Sequence, residues 1–357
     1  MAEIILVRHG KTAGNLEVHF IDVGQGDATL IKCDGHSMLI DAGNNDKGTL
    51  VQNYLQHQGV ETLDYVIGTH PDADHIGGMD VVLYKFDCKT IIMPDVANNT
   101  RTYDDVVQTM KNKGYKTTYP VVGETYTIGG AAFTIIAPNK EYGNDMNSWS
   151  VGVLLQNGNH RFLFTGDAEE GAEQDILQNG IDISADVYKV AHHGSNTATS
   201  QAFLDAVHPT YAVISAGEGN SYGHPHAEVL NRLRAAGVSV FRTDEQGTIV
   251  AASDGTTLTW NMSPSESWQA GEAKKSQDTD KSEKSTDSQN NAETDAAVSN
   301  PTDQTDGNSD VIVHITKTGE KYHSAGCQYL RKSDIEVTLS EAKARGLTPC
   351  SKCNPPQ

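Results

Sequence analysis

One short stretch constrains this chain more than any other. Four side chains of metal-ligand type fall within six residues: His70, Asp72, Asp74 and His75. An apolar run at residues 64–68 precedes them and a helix-like run at residues 76–85 follows. A loop at the end of a buried strand can aim several short side chains at one point. Imidazole nitrogen and carboxylate oxygen both suit a hydrolytic dication, so we expect a metal site here rather than an idle polar turn.

Five further motifs stand in a fixed order around this loop. They are residues 20–27 (FIDVGQGD), 39–43 (LIDAG), 165–167 (TGD), 191–195 (AHHGS) and 222–226 (YGHPH). The loop resembles the HxHxDH motif of the metallo-β-lactamase fold, with Asp72 in place of the second His, as in the domain of this fold in the ComEC family of DNA-internalisation competence proteins. The resemblance covers about residues 17–261. It implies an α+β fold, the αββα sandwich of two sheets with helices outside.

The resemblance also implies a ligand set. His70, Asp72 and one later His would hold a first metal, while Asp74, His75 and another later His would hold a second, with Asp167 between them. We expect His192 to be a ligand and His193 to protonate the leaving group, with Asp74 the other catalytic residue. His224 is expected either as a ligand or as part of a turn beside a helix cap. The sequence alone indicates only that these groups follow strands.

Metal number and identity stay open at this stage. Asp72 adds a hard oxygen ligand, which favours manganese without excluding zinc. Because Asp72 replaces the second His of the motif, it also argues against β-lactam hydrolysis. The usual His between the loop and the bridging Asp is not evident, and residues 147–150 (NSWS) occupy that interval. One or two divalent metals are therefore expected. Neither Cys33 nor Cys88 lies in a motif, so an activated solvent molecule is the expected nucleophile.

Charge divides the chain into unequal parts. The whole chain has 357 residues and a net charge of −20. Residues 1–262 carry 16 basic and 32 acidic side chains, residues 263–310 carry 4 and 11, and residues 311–357 carry 7 and 4. An acidic body disfavours strong non-specific clamping of nucleic acid, because phosphate neutralisation needs Lys and Arg. A bound polyanion must rely on metal ions or on the small basic tail.

Four regions follow from composition and motifs. Residues 1–16 read as a leader or appended tail, in which Arg8-His9-Gly10-Lys11-Thr12 resembles a histidine-phosphatase motif that lacks its domain. Residues 17–262 form the main domain. Residues 263–310 are polar with almost no aliphatic side chains, which predicts a disordered linker, with a binding tail as the alternative. Residues 311–357 regain apolar character and form a small module.

The small module has a zinc-ligand pattern. One His and three Cys make a tetrahedral set: His323, Cys327, Cys350 and Cys353. A module of about 50 residues cannot bury a sufficient core, so a structural zinc would stabilise it. The spacing resembles small zinc modules such as that of the Ada DNA-repair protein. Partly paired cysteines in an exported chain are the alternative.

These patterns favour a metal-dependent phosphodiesterase or nuclease acting on DNA, in a competence-like setting, with the C-terminal module also binding nucleic acid. A hydrolase of a small or surface-attached ester, such as a phosphocholine ester, is the first alternative. A non-catalytic, metal-stabilised binding protein is the second. No apolar run reaches the roughly 18 residues of a membrane span. The chain as written predicts a cytoplasmic protein, and a secreted or cell-surface one if a leader was removed.

Overall fold

The computed structural model describes residues 13–271, 312–316, 321–323, 330, 335–344, 347–350 and 352–353. The chain divides into two compact units, residues 1–279 and residues 280–357. Within the described residues, no helix has the length and apolarity that crossing a membrane requires. The expected leader motif at residues 8–12 and most of the expected linker lie outside the described residues.

Two sheets form the centre of the first unit. The strands of the first sheet are β1 Leu16–Phe20, β2 Thr29–Cys33, β3 His36–Ile40, β4 Thr62–Ile67, β5 Asp87–Ile92, β6 Thr117–Thr118, β14 Ile249–Ser253 and β15 Leu258–Trp260. Those of the second are β7 Thr125–Ile128, β8 Ala131–Ala137, β9 Gly152–Asn157, β10 His160–Phe164, β11 Val187–Lys189, β12 Tyr211–Ile214 and β13 Ser239–Arg242. Their orders are β15-β14-β1-β2-β3-β4-β5-β6 and β13-β12-β11-β10-β9-β8-β7. Strands β3 to β6 run parallel, as do β10 to β13.

Eight α-helices are described in this unit: α1 Gly48–His57, α2 Ala73–Ile76, α3 Met79–Lys85, α4 Arg101–Lys113, α5 Glu170–Gln178, α6 Gln201–Val207, α7 Ala227–Ala235 and α8 Thr243–Gln246. Local chemistry sets their ends. The Thr100 side chain accepts the backbone N–H of Tyr103 and caps α4, which Gly114 ends in a left-handed conformation (φ 73°). In the helix-like run expected over residues 76–85, α3 begins only at Met79, and Gly77 and Gly78 separate it from α2, which ends at Ile76.

Three apolar clusters hold four layers together. Between the sheets, Phe20 of β1 stacks on Phe164 of β10 with ring centroids 6.1 Å apart. Outside the first sheet, α1, α3 and α4 bury side chains such as Leu55, Leu83 and Met110. Outside the second, α5, α6 and α7 do the same. Burial of the apolar surface in these three clusters is the main contribution to the stability of the fold. The expected αββα sandwich is confirmed.

The first unit extends beyond both boundaries expected from the sequence. Gly14 exchanges two hydrogen bonds with the Asn157 side chain, at 2.9 and 2.8 Å, and Leu16 already pairs with Ser253. At the other end Ser265 donates its backbone N–H to the Val240 carbonyl at 2.7 Å. Residues 263–271 therefore pack with this unit, because local hydrogen bonds offset their polar composition.

The second unit contains a four-stranded sheet. Its strands are β16 Ile312–Ile315, β17 Lys321–His323, β18 Ile335–Thr338 and β19 Thr348–Pro349, in the order β18-β16-β17-β19. One helix, α9 Leu339–Ala344, follows β18. A small apolar cluster includes Val313, Tyr322 and Ala342. A core of this size leaves room for stabilisation by a metal.

Candidate metal centre

Both sheets deliver polar side chains to one edge. Strand β4 ends just before His70, β10 just before Asp167, and β11 just before His192 and His193. The carboxyl ends of parallel strands meet at one edge of a sheet, and the two packed sheets bring their edges together. Side chains far apart in the sequence therefore surround one point.

The ligand atoms of two groups lie close together. Within the described residues, His70, His75 and Asp167 form one group and Asp74, His75 and His193 another, each with atoms within 4.8 Å of one another. Asp167 faces both, since its Oδ1 is 3.2 Å from His75 Nε2 and its Oδ2 is 3.5 Å from His193 Nε2. His193 Nε2 is also 3.4 Å from Asp74 Oδ2.

Several of these atoms are buried without a hydrogen-bond partner among the described residues. They are His70 Nε2, His75 Nε2, His193 Nε2 and Asp167 Oδ1. An unsatisfied buried polar atom costs about 1–3 kcal/mol, so a convergent set needs an explanation. A dication coordinated by imidazole nitrogens and carboxylate oxygens satisfies all of them. The residues present fit divalent metal binding.

The other ring nitrogens are fixed by the protein. His75 Nδ1 donates to Asp41 Oδ2 at 2.9 Å, and His193 Nδ1 donates to the Ser215 carbonyl at 3.0 Å. Asp41 also accepts the backbone N–H of Thr69 at 2.8 Å. Such contacts fix the tautomer that leaves Nε2 free for a metal. Asp41 therefore holds the orientation of the His75 ring.

The two adjacent histidines take unusual backbone conformations. Along a strand they would point to opposite faces, but β11 ends at Lys189, and both lie in the left-handed region with φ of 49° and 54°. His193 is buried, whereas His192 is 20% exposed, with Nε2 3.7 Å from Asp167 Oδ2 and Nδ1 3.3 Å from Glu169 Oε1. Both rings therefore face Asp167. Asp167 Oδ2 is 3.7 Å from His192 Nε2 and 3.5 Å from His193 Nε2, so either ring can supply a ligand atom beside it.

Asp72 and His224 lie at the margin. Asp72 Oδ2 is 3.8 Å from His70 Nε2, its side chain is 37% exposed, and its Oδ1 accepts a hydrogen bond from Asn98. The His224 ring centroid is 5.6 Å from that of His192 and 6.1 Å from that of His193. His224 belongs to none of the close ligand groups found among the described residues. It lines the cavity instead.

Burial and charge set the protonation of the ring nitrogens. Burial, reinforced by neighbouring imidazoles, lowers the pKa of His70 to about 3 and that of His224 to about 4. Burial also opposes charge on His75, but the carboxylates of Asp167 and Asp41 raise its pKa well above the usual value, so a metal that binds at Nε2 would displace a proton. His70 and His224 are thus neutral at pH 7, the state in which imidazole binds a metal.

These groups surround a cavity of about 190 Å³. Its walls carry three carboxylates and three imidazoles together with Gln25, Asn147 and Tyr222. The carboxylates are Asp72, Asp74 and Asp167, and the imidazoles are His192, His193 and His224. Asn147 lies in the interval where the sequence lacked the usual His. Gln25 and Tyr222 lie in two of the sequence motifs, but the motifs alone predict no role for them, because only the folded chain brings their loops together.

A buried ion pair supports the cavity from behind. Lys189 Nζ is 2.9 Å from each carboxylate oxygen of Asp27, and both side chains are less than 10% exposed. Asp27 Oδ1 is also 3.7 Å from His193 Nδ1. Sequence reasoning missed Lys189 and Glu169, since a contact between residues 162 positions apart leaves no local pattern.

The second unit gathers part of its expected zinc set. His323, Cys350 and Cys353 offer ligand atoms within 4.8 Å of one another, and Cys353 Sγ is 3.8 Å from His323 Nδ1. Cys327, the expected fourth ligand, lies outside the described residues. Thiolate and imidazole in this number suit zinc.

Known bacterial proteins are similar in sequence to this chain. The chain is 31% identical over 255 residues to ComE operon protein 3 of Bacillus subtilis (65% of this chain, 32% of that protein). It is 33% identical over 238 residues to Recombination protein 2 of Haemophilus influenzae (65% and 28%). It is 29% identical over 230 residues to Competence protein ComA of Neisseria gonorrhoeae (64% and 31%).

The chain thus spans about a third of the length of these relatives. Residues 21–218 match the model of the Metallo-beta-lactamase superfamily, and this span contains the loop, Asp167 and both adjacent histidines. The match agrees with the four-layer fold and with the divalent-metal chemistry of the centre. This chain belongs to the metallo-β-lactamase superfamily.

Proposed function

We propose that this chain is a metal-dependent hydrolase of phosphodiesters and that DNA is its substrate. The observation that carries the proposal is the convergence of three buried imidazole Nε2 atoms around Asp167. These atoms and one oxygen of Asp167 have no hydrogen-bond partner among the described residues, and Asp167 and His193 line an open cavity. A purely structural site is usually closed and rich in thiolates, whereas this set consists of imidazoles and a carboxylate and lies beside an open cavity.

The proposed ligand sets share Asp167. On one side of Asp167 the proposed ligands are the loop residues His70 and Asp72 and the partly exposed His192. On the other side they are Asp74, His75 and His193. Zinc and manganese both suit these donors. Bound dications at such a site lower the pKa of water and stabilise charge on phosphoryl and leaving-group oxygens.

The chain's own residues orient the centre and contact the substrate. Asp41, Glu169 and the Ser215 carbonyl hold the rings, while Asn147 can donate hydrogen bonds to a bound phosphate from the cavity wall. Asp74 is proposed as the carboxylate that accepts a proton from the attacking solvent. We do not retain His193 as proton donor, because Nδ1 is bonded to Ser215 and Nε2 lies between two carboxylates.

Support for DNA comes from relatives named for competence and recombination. A small phosphodiester, such as a phosphocholine ester, is the second candidate. The size of the cavity favours it, because about 190 Å³ lies below the usual range for a drug-sized ligand. The acidic first unit favours it as well.

The test compares two substrates with the full chain loaded with manganese or with zinc. Single-stranded DNA and bis-p-nitrophenyl phosphate are assayed with wild type, with Asp167→Asn, and with Asp205→Asn as an exposed control. We expect wild type and the control to cleave DNA and Asp167→Asn to lose at least 100-fold. Cleavage of the small ester alone supports the second candidate. Cleavage of neither by fully loaded protein supports a non-catalytic binding protein.

We further propose one structural zinc in the second unit, held by His323, Cys350 and Cys353 with Cys327 as the fourth ligand. Residues 311–357 carry 7 basic and 4 acidic side chains, and this basic excess suits contact with a nucleic-acid strand. Zinc content of the full chain against Cys353→Ser tests the site, and the variant should lose one equivalent. Equal zinc in both proteins contradicts the assignment.

A further inference from the structure

An exposed aromatic ring stands in the wall of the metal cavity. Tyr222 is 64% exposed and lines the same cavity as Asp167, His192 and His193. Single exposed aromatics are ordinary on protein surfaces. This one differs because it lies beside the reacting centre and is held in place.

The loop around Tyr222 is rigid. Its backbone N–H donates to Asn220 Oδ1 at 3.1 Å, and its carbonyl accepts from His226 Nε2 at 3.2 Å. Asn220 in turn donates from Nδ2 to the carbonyls of Gly217, at 2.9 Å, and His224, at 2.7 Å. A ring fixed before binding loses little conformational entropy when a ligand packs on it.

The ring is also oriented. It stacks on His224 with centroids 5.5 Å apart and planes 17° apart. One face therefore contacts a ring that itself packs against His192, while the side chain as a whole is 64% exposed and leaves ring surface for a ligand. A flat open face at this position suits a planar, apolar group of the substrate.

A free hydrogen-bond donor lies in the same wall. Gln25 Oε1 accepts the backbone N–H of Gly217 at 3.2 Å, which fixes the orientation of the amide. Its Nε2 is buried and has no partner among the described residues. A buried donor left unsatisfied is costly, so a ligand oxygen that accepts from it binds favourably.

We propose that Tyr222 and Gln25 form a nucleotide subsite, in which Tyr222 stacks on a base next to the cleaved phosphodiester and Gln25 donates to an oxygen of the same nucleotide. The proposal rests on the proposed phosphodiesterase function and deepens it. A base can stack on Tyr222 only when it has left the duplex, so the substrate class is single-stranded nucleic acid. Stacking tolerates every base, so cleavage is without strong sequence preference.

The test uses the full chain, loaded with manganese, and strands that differ only in their bases. Oligothymidylate is compared with an abasic phosphodiester strand of the same length, for wild type, Tyr222→Phe and Tyr222→Leu. Tyr84→Leu is the matched control, because Tyr84 is 65% exposed and lines no part of the metal cavity. Metal content of each protein is measured alongside.

Base stacking predicts a rise in KM of roughly 5- to 150-fold for Tyr222→Leu on oligothymidylate, with kcat little changed. Tyr222→Phe keeps the flat face and stays within about 3-fold of wild type, and Tyr84→Leu behaves as wild type. The abasic strand shows the same KM with Tyr222→Leu as with wild type. Equal KM for all proteins on oligothymidylate, or an equal loss on the abasic strand, overturns the subsite.

A binding measurement separates this inference from the proposed function. A strand containing 2-aminopurine is titrated with metal-free protein, and stacking quenches its fluorescence. Quenching by wild type and Tyr222→Phe but not by Tyr222→Leu supports the subsite even if no strand is cleaved, a result that rejects the hydrolase alone. Quenching that is equal in all three, or absent from all, rejects the subsite whether or not DNA is cleaved.

Discussion

The buried pair of Lys189 and Asp27 offers a sharp test of how the centre is supported. Lys189 Nζ lies 2.9 Å from both carboxylate oxygens, and both side chains are almost fully buried. At this distance, with an effective dielectric constant near 20, the attraction is about 6 kcal/mol before desolvation is subtracted. Lys189→Met keeps the length of the side chain and removes its charge, which leaves Asp27 as an uncompensated buried carboxylate.

We expect Lys189→Met to lower the free energy of unfolding by about 3–5 kcal/mol. For a unit of this size that corresponds to a fall in Tm of roughly 6–20 °C. Urea and thermal unfolding are followed in the presence of chelator, so that metal binding does not contribute. Asp27→Asn should cost a similar amount, because it leaves the ammonium group unpaired.

The double variant is the decisive member of the series. Asp27→Asn combined with Lys189→Met removes both charges, so it should be at least 2 kcal/mol more stable than the sum of the single losses predicts. If either single variant stays within about 1 kcal/mol of wild type, or if the two losses simply add, the pair does not stabilise the fold in the way proposed.

Three further results are expected. Asp64 accepts from Lys89 Nζ at 2.8 Å and from a backbone N–H; although burial opposes its charge, these contacts lower its pKa. Asp64→Asn should therefore cost about 1 kcal/mol in urea unfolding at pH 7. The difference should begin to shrink as pH falls below about 4, the ordinary carboxyl pKa, and should disappear only below the lowered pKa of folded Asp64; a difference independent of pH contradicts this. Asp41→Asn should weaken metal binding 10- to 100-fold in competition with a chromophoric chelator, because a neutral amide replaces the carboxylate to which His75 donates; unchanged affinity refutes the orienting role. His193→Ala should remove one equivalent of metal from the first unit, whereas full loading returns it to the proton-transfer role expected from the sequence.

The layers and the edge that carries the centre could be predicted from the sequence. Alternating apolar strands predict sheets with helices outside, and a dense cluster of ligand-type side chains after residues 64–68 predicts a functional loop. The five motifs around this loop then predict which residues lie beside it. Asp167 and the histidines do meet at one point because the motifs follow strands that end at a shared edge.

The choice between His192 and His193 depended on backbone geometry. A strand places adjacent residues on opposite faces, and only a left-handed conformation at both residues turns the two rings toward Asp167. No sequence pattern predicts this left-handed conformation, since histidine adopts positive φ only where the surrounding structure requires it. Whether one of these two rings or both face Asp167 therefore could not be predicted without coordinates.

Polar composition misled at the end of the first unit. Residues 263–271 resemble the segment after them, yet Trp268 packs near the Arg234 guanidinium, with the ring centroid 5.7 Å from Cζ, and Arg242 donates to the Gln269 carbonyl. One aromatic side chain and a few hydrogen bonds suffice to hold a short polar segment. The average composition of a segment does not indicate such contacts.

The central claim is that Asp167 and the side chains around it hold divalent metal. Metal content by inductively coupled plasma mass spectrometry, for the full chain and for Asp167→Ala, tests it most directly. We predict three equivalents in wild type, two in the first unit and one zinc in the second, and only the single zinc in the variant. The same metal content in both proteins would contradict the account.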